Sequence, residues 1–145
     1  MSSPHLTDGP SLTGAEVHAI CTIRDLVCNV EQRCEDADPD AIDLESTTSH
    51  LWFADDRGIT SYLRTYVTPD GVRHVGRVCT RRDARGAGLS GSLLREVLRH
   101  WGRAPIVLGA QAYLHDWYAS FGFVQDGEPY VEAGIEHVPM RRDPA

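Results

Sequence analysis

Residues 81–94 read RRDARGAGLSGSLL. Arg81, Arg82 and Arg85 lead into a patch of small residues and then into leucines. Gly86, Gly88 and Gly91 spell G-x-G-x-x-G, the pattern of a dinucleotide-binding turn. The context does not suit that use. Such a turn follows a buried strand, and an acidic residue about 20 positions on holds a ribose. Here four of the five residues before Gly86 are charged, and the next apolar run ends Leu108-Gly109-Ala110-Gln111 without a carboxylate. A P-loop is excluded because the chain has no lysine. Two readings remain: a structural turn with solvated arginines, or a cradle for another pyrophosphate. A helix starting near Ser90 would present unpaired N–H groups and a positive dipole end, and small residues let a ligand approach the backbone. Residues 81–103 hold six arginines against Asp83 and Glu96, a local +4 in a chain of −7. That reversal of sign favours an anionic ligand.

The 145 residues suit one domain. Thr13-Gly14-Ala15-Glu16 forms a capping box, and Val17, Ile20, Ile23, Val27 and Val30 follow at helical spacing. Together they predict a helix from about Gly14 to Cys28 or a little beyond. Residues 1–12 are expected to be a flexible N-terminus and residues 13–142 the domain. Ser49 to Ala54, Ile59 to Val67 and Arg73 to Thr80 predict three strands, separated by the turn residues Asp56-Arg57-Gly58 and Pro69-Asp70-Gly71. Ser90 to Trp101 predicts a helix, Ile106 to Leu108 a strand, and Gln111 to Phe121 a further helix stopped by Gly122. Val124 to Tyr130 and Glu136 to Arg141 predict two closing strands. The expected class is α/β (α+β): one mixed, mostly antiparallel sheet with helices on both faces.

The acidic balance argues against nucleic-acid or anionic-membrane partners. The N-terminus lacks the apolar core of a secretory signal, and no apolar run approaches the ~20 residues that span a bilayer. Cys21, Cys28, Cys34 and Cys79 match no zinc spacing and are expected to be reduced thiols of a cytoplasmic protein. An acidic loop, Glu35 to Glu45, holds six carboxylates and no base. Asp36, Asp38 and Asp40 resemble the start of a calcium loop, but Ala41 and Thr47 stand where its glycine and bidentate glutamate belong. No metal is expected.

The segment Arg85-Gly86-Ala87-Gly88-Leu89-Ser90 resembles the Arg-x-x-Gly-x-Gly/Ala motif of the GNAT N-acetyltransferases, with serine at the last position. Tyr118-Ala-Ser-Phe-Gly122-Phe123 resembles that family's Tyr-x-x-x-Gly-Phe, and Gln111 stands where the family often has asparagine. The chain is most similar to the ElaA-like branch, through Val30-Glu31-Gln32-Arg33-Cys34, Asp43-Leu44-Glu45, His50-Leu51, Gly76-Arg77-Val78, Leu108 to Ala112 and Gly134 to His137.

The resemblance implies a GNAT-like fold and acetyl transfer from acetyl-CoA to a small-molecule or peptide amine, in a ternary complex. It implies that Val78, Cys79 and Thr80 flank the pantetheine, with a backbone N–H there stabilising the oxyanion. Arg85, Gly86, Ala87, Gly88, Leu89, Ser90 and Gly91 would hold the pyrophosphate, aided by Arg81 or Arg82, and Gln111 would bond the pantetheine. Tyr118 would protonate the departing thiolate. Its spacing of seven from Gln111 predicts that both lie on one helix face. Glu31, Asp43, Glu45, His50 and His137 are expected to line the acceptor side as candidate bases, His137 foremost as a catalytic residue because histidine suits base work near neutrality, with an ordered water as the alternative. Packed or solvated roles for Tyr118 and His137 stay open, as does an acyl-CoA-binding regulatory module in place of an enzyme. A homodimer is compatible with either.

Overall fold

The computed structural model describes residues 3–33 and 38–144, without the Asn29 side chain. Cys34 and the start of the acidic loop, including Glu35 and Asp36, lie outside them. Among the described residues, eight strands form one sheet: β1 (His5–Asp8), β2 (Ser49–Asp55), β3 (Gly58–Val67), β4 (Arg73–Thr80), β5 (Ile106–Gln111), β6 (Val124–Gln125), β7 (Tyr130–Glu132) and β8 (Ile135–Arg142). The spatial order is β1-β2-β3-β4-β5-β8-β6, with β7 also on β8. Only β4–β5 is a parallel pair; the others are antiparallel.

Strand alternation sorts the core onto two faces. Leu51, Leu63, Leu108 and Ala110 pack with Leu93, Leu94 and Val97 of α2 (Leu89–Trp101) and with Tyr118 of α3 (His115–Ala119). On the other face Trp52, Tyr62 and Cys79 meet Ile20 and Ile23 of α1 (Gly14–Arg24). The expected mixed sheet covered on both faces is what the chain builds.

The capping box holds: Thr13 Oγ1 accepts from the Glu16 N–H and Glu16 Oε1 from the Thr13 N–H. Four local expectations need correction. The first helix reaches a little beyond Cys28, as expected, but past Arg24 its winding is π-helical to Glu31, and the Gln32 N–H reaches back to the Val27 carbonyl. Residues 5–8 do not fray: β1 pairs with β2 from His5–Trp52 to Asp8–Ser49, and His5 stacks on Trp52 at 5.3 Å. That strand lacks apolar alternation, so nothing in its composition announced it; it forms because β2 offers it an edge. Gln111 is the last residue of β5, pairing with His137, so it shares no helix face with Tyr118. The expected strand 124–130 is two short ones, β6 and β7.

Candidate functional site

β4 and β5 pair only at Arg73–Ile106 and His74–Val107. Beyond those pairs they part, and a cleft of about 1070 Å³ opens between them. A bulge shapes its β4 wall. Tyr62 faces Cys79 and Arg64 faces Gly76, so Arg77 and Val78 together oppose Leu63. Arg77 sits at φ 54, a left-handed conformation costly for a side chain this size. Its guanidinium is anchored on Asp38, with Nε 3.0 Å from Oδ1 and a terminal nitrogen donating to the carbonyl at 3.1 Å.

At the wide end lies the glycine segment. Gly86 and Gly88 have φ of 86 and 73, and a Cβ at either would project into open space. Gly88 is the N-cap of α2 and supplies no side-chain cap, so the first N–H groups of that 13-residue helix lack a side-chain acceptor. Gly91 serves packing instead. It lies under Phe121, and a Cβ there would sit 3.4 Å from the ring, in ordinary van der Waals contact. Ser90, the departure from the small-residue motif, is used. Its hydroxyl meets Thr80 Oγ1 at 2.6 Å and Ser61 Oγ at 3.3 Å, tying α2 to β4 and β3. Leu89 and Ser90 line the cleft, whereas Ala87 is exposed outside it.

Arg85 binds Glu31 through both terminal nitrogens, at 2.5 and 2.7 Å, and its Nε donates to the Thr80 carbonyl at 3.1 Å. The hydrogen bond from Arg85 holds the Glu31 carboxyl below its ordinary range. Arg81 is spent on Asp55 and Asp83 outside the cleft. Arg95 was not singled out from sequence, yet it lines the cleft one helical turn past Gly91, its guanidinium 5.9 Å from the Phe121 ring centroid. The i,i+4 spacing from Gly91 was the available signal.

Further along, Gln111 exchanges amide hydrogen bonds with Gln32 at 3.2 Å, bridging the cleft from β5 to the π-helical turn. Tyr118 lines the cleft but is only 4% exposed, edge-on to Trp117 at 4.8 Å and to Phe123 at 6.0 Å. Burial pushes its phenol up, so it keeps its proton at neutral pH. Burial does the same to the Cys79 thiol, making it a neutral wall rather than a nucleophile. Val78 and Thr80 line the same wall.

Three of the expected acceptor-side residues are elsewhere. His50 is fully buried, its Nε2 donating to the Asp43 carbonyl at 2.8 Å and its Nδ1 accepting from Tyr62 Oη at 2.6 Å. Asp43 is committed to Arg24 and Arg64, each 2.8 Å from Oδ1. These groups pin the 38–44 loop onto the sheet rather than meeting a substrate. Glu45 is exposed and outside the cleft lining. Glu31 and His137 do line it, together with Tyr130 and Glu132, which the sequence motifs did not mark. Strand alternation on β7 puts those last two on one face.

The family model for the acetyltransferase (GNAT) domain matches residues 28–144. A UPF0039 protein of Mycobacterium tuberculosis is 40% identical over 135 residues, 90% of this chain and 86% of that protein. ElaA of Escherichia coli is 34% identical over 140 residues, 91% of this chain and 90% of that protein. Its crystal structure matches with a TM-score of 0.87 over 99% of this chain and 100% of that one, at 30% identity. An acyl-CoA N-acyltransferase from Pseudomonas aeruginosa matches with a TM-score of 0.88 at 35% identity, covering 97% and 98% of the two chains.

Proposed function

Because the chain belongs to the GNAT acetyltransferase family, we propose that it is an N-acetyltransferase moving an acetyl group from acetyl-CoA to an amine within a ternary complex. The observation that carries this reading is the join of two features in one cleft: an uncapped helix N-terminus built on left-handed glycines, and a strand wall left unpaired by the parting of β4 and β5. The open space at Gly86 and Gly88 suits a pyrophosphate, and acetyl-CoA would supply an activated acyl thioester.

The roles then divide among the residues of the cleft. The N–H groups from Gly86 to Gly91 and the Arg85 guanidinium hold the pyrophosphate, with Arg95 one turn on as a second cation. The Arg81 N–H bonds the Thr60 carbonyl, so strand alternation turns the Thr80 N–H away from β3, and Val78 sits in the bulge where the ladder is interrupted. A Val78 N–H facing the cleft supports an oxyanion. Gln111 bonds the pantetheine once it leaves Gln32. Tyr118, protonated and held by its aromatic neighbours, gives its proton to the departing sulfur. The acetyltransferase unit is residues 13–142 together with β1 on its sheet edge, working in the cytoplasm on a small-molecule or peptide amine. No helix among the described residues is long and apolar enough to cross a membrane.

The test has two arms. Acetyl-CoA at ~100 Kd should stabilise the fold by about 2.7 kcal/mol, and NAD should not. Thiol release across an amine panel should then identify acceptors. Stabilisation by NAD alone would overturn the reading. Acetyl-CoA binding with no thiol release would make the protein a regulatory module.

A further inference from the structure

Beyond the cofactor cradle, the cleft runs on between β7, β8 and the bulged part of β4, and its chemistry there differs. His137 is nearly buried on β8, and Tyr130 stacks on it with centroids 5.5 Å apart and planes 21° from parallel. Its Nδ1 lies 2.7 Å from the Ile135 carbonyl oxygen. A carbonyl only accepts, so Nδ1 carries hydrogen and the neutral ring has its lone pair on Nε2. The nearest ionic group to Nε2 is the Glu132 carboxylate at 4.0 Å, too far for a direct hydrogen bond. Two acceptors thus face one another across a gap, with no described donor between them. Gly109 makes room for the Tyr130 hydroxyl, which a Cβ there would strike, and so lets Tyr130 lie over His137.

We infer that Glu132 and His137 form the acceptor subsite, taking a primary alkylammonium between the carboxylate and Nε2, with Glu132 binding it and His137 removing its proton. The inference rests on the acetyl-transfer reading above. A nitrogen about 2.8 Å from each acceptor would see them at an angle of roughly 90°, near the spread of N–H bonds on an ammonium. The Tyr130 ring offers the alkyl carbons an apolar surface. In the reaction, one ammonium proton passes to Nε2. The freed lone pair forms the C–N bond while the thioester C–S bond breaks. The sulfur takes the Tyr118 proton, the nitrogen loses its second proton to restore Tyr118, and His137 returns its proton to solvent. One amide, one thiol and one net proton result.

Two probes separate the sources of such an ammonium: 1,4-diaminobutane and a capped tripeptide with a central lysine. Thiol release and acetyl-CoA affinity by calorimetry are measured for wild type, Glu132→Gln and His137→Gln. Wild type should acetylate at least one probe. Glu132→Gln should raise the amine KM, by no more than about tenfold because the carboxylate is exposed, with kcat little changed. His137→Gln should lower kcat by roughly 10²–10⁴ with KM little changed. Acetyl-CoA affinity should stay within about twofold in both, a split that general loss of structure would not give. Wild-type amine kinetics in either variant, or no acetylation of either probe by a wild type that acetylates another amine of the panel, would overturn the subsite alone. A wild type that does not bind acetyl-CoA would overturn the parent reading with it.

Discussion

Glu31 holds both terminal nitrogens of Arg85, at 2.5 and 2.7 Å, across the mouth of the cleft. The arginine assigned to the pyrophosphate therefore already has an anionic partner, supplied by the π-helical turn that follows α1. A phosphate must displace that carboxylate or share its guanidinium. Glu31→Gln should tighten acetyl-CoA binding, by no more than about fivefold because both groups are partly exposed. Arg85→Ala should weaken it by tenfold or more, and less so in high salt. Calorimetry at two salt concentrations checks both. Weaker binding in Glu31→Gln would mean that the carboxylate helps the cofactor instead of competing with it.

Tyr118→Phe keeps the ring and its edge contacts with Trp117 and Phe123. Acetyl-CoA affinity should be unchanged and single-turnover acetyl transfer slowed by roughly 10²–10⁴. A wild-type single-turnover rate would remove the hydroxyl from the chemistry and leave Tyr118 a packed aromatic.

Gly88 and Gly91 belong to one pattern but should respond oppositely to alanine. At Gly88 a Cβ meets nothing, yet φ is 73, so Gly88→Ala should cost about 1–2 kcal/mol through backbone strain and loosen acetyl-CoA with it. Gly91 is helical and its Cβ would make close contact with Phe121, so Gly91→Ala should be neutral or stabilising by up to about 1 kcal/mol. Urea melts of the two variants decide; equal losses at both sites would refute the division of labour.

Acid should destabilise the fold in two steps. Burial holds His50 and His74 below the ordinary histidine value. As pH falls, the unfolded chain takes these protons first, so their contribution is complete above about pH 6.5 and declines below it. Burial would raise Asp43, but hydrogen bonds and charge from Arg24 and Arg64 outweigh it; Asp40 is lowered by its hydrogen bonds from Arg64. Their contribution is complete well above the unfolded value of about 3.9 and is lost as pH falls through and below it. His50→Gln can still donate to the Asp43 carbonyl and accept from Tyr62, so it should flatten the first step and leave the second. An unchanged melting-temperature slope between about pH 7 and pH 5.5 would contradict this role of His50.

Local chemistry made much of this legible. The capping box and the two hairpin turns are short-range signals, and each produced the element it predicted. The glycine motif was readable because left-handed turns and tight helix starts need glycine. What escaped depended on distant partners. Gln111 is drawn into β5 by pairing with β8, which no spacing from Tyr118 could show. His50 looks like any polar strand residue until Tyr62 and the Asp43 carbonyl close over it. Glu132 gains interest only through the ring of His137, five residues on, after a turn through Ala133 and Gly134.

Two residue pairs, Arg73–Ile106 and His74–Val107, are the whole backbone seam between β1–β4 and the remaining strands. Mechanically the sheet is two leaves on a short spine, kept together by side chains of the α2 layer rather than by a continuous ladder. A ligand lying in the gap would brace the leaves against each other. Occupancy should then register far from any contact, as slower amide exchange on both β4 and β5, and a pull that separates the leaves should meet resistance that rises with ligand concentration.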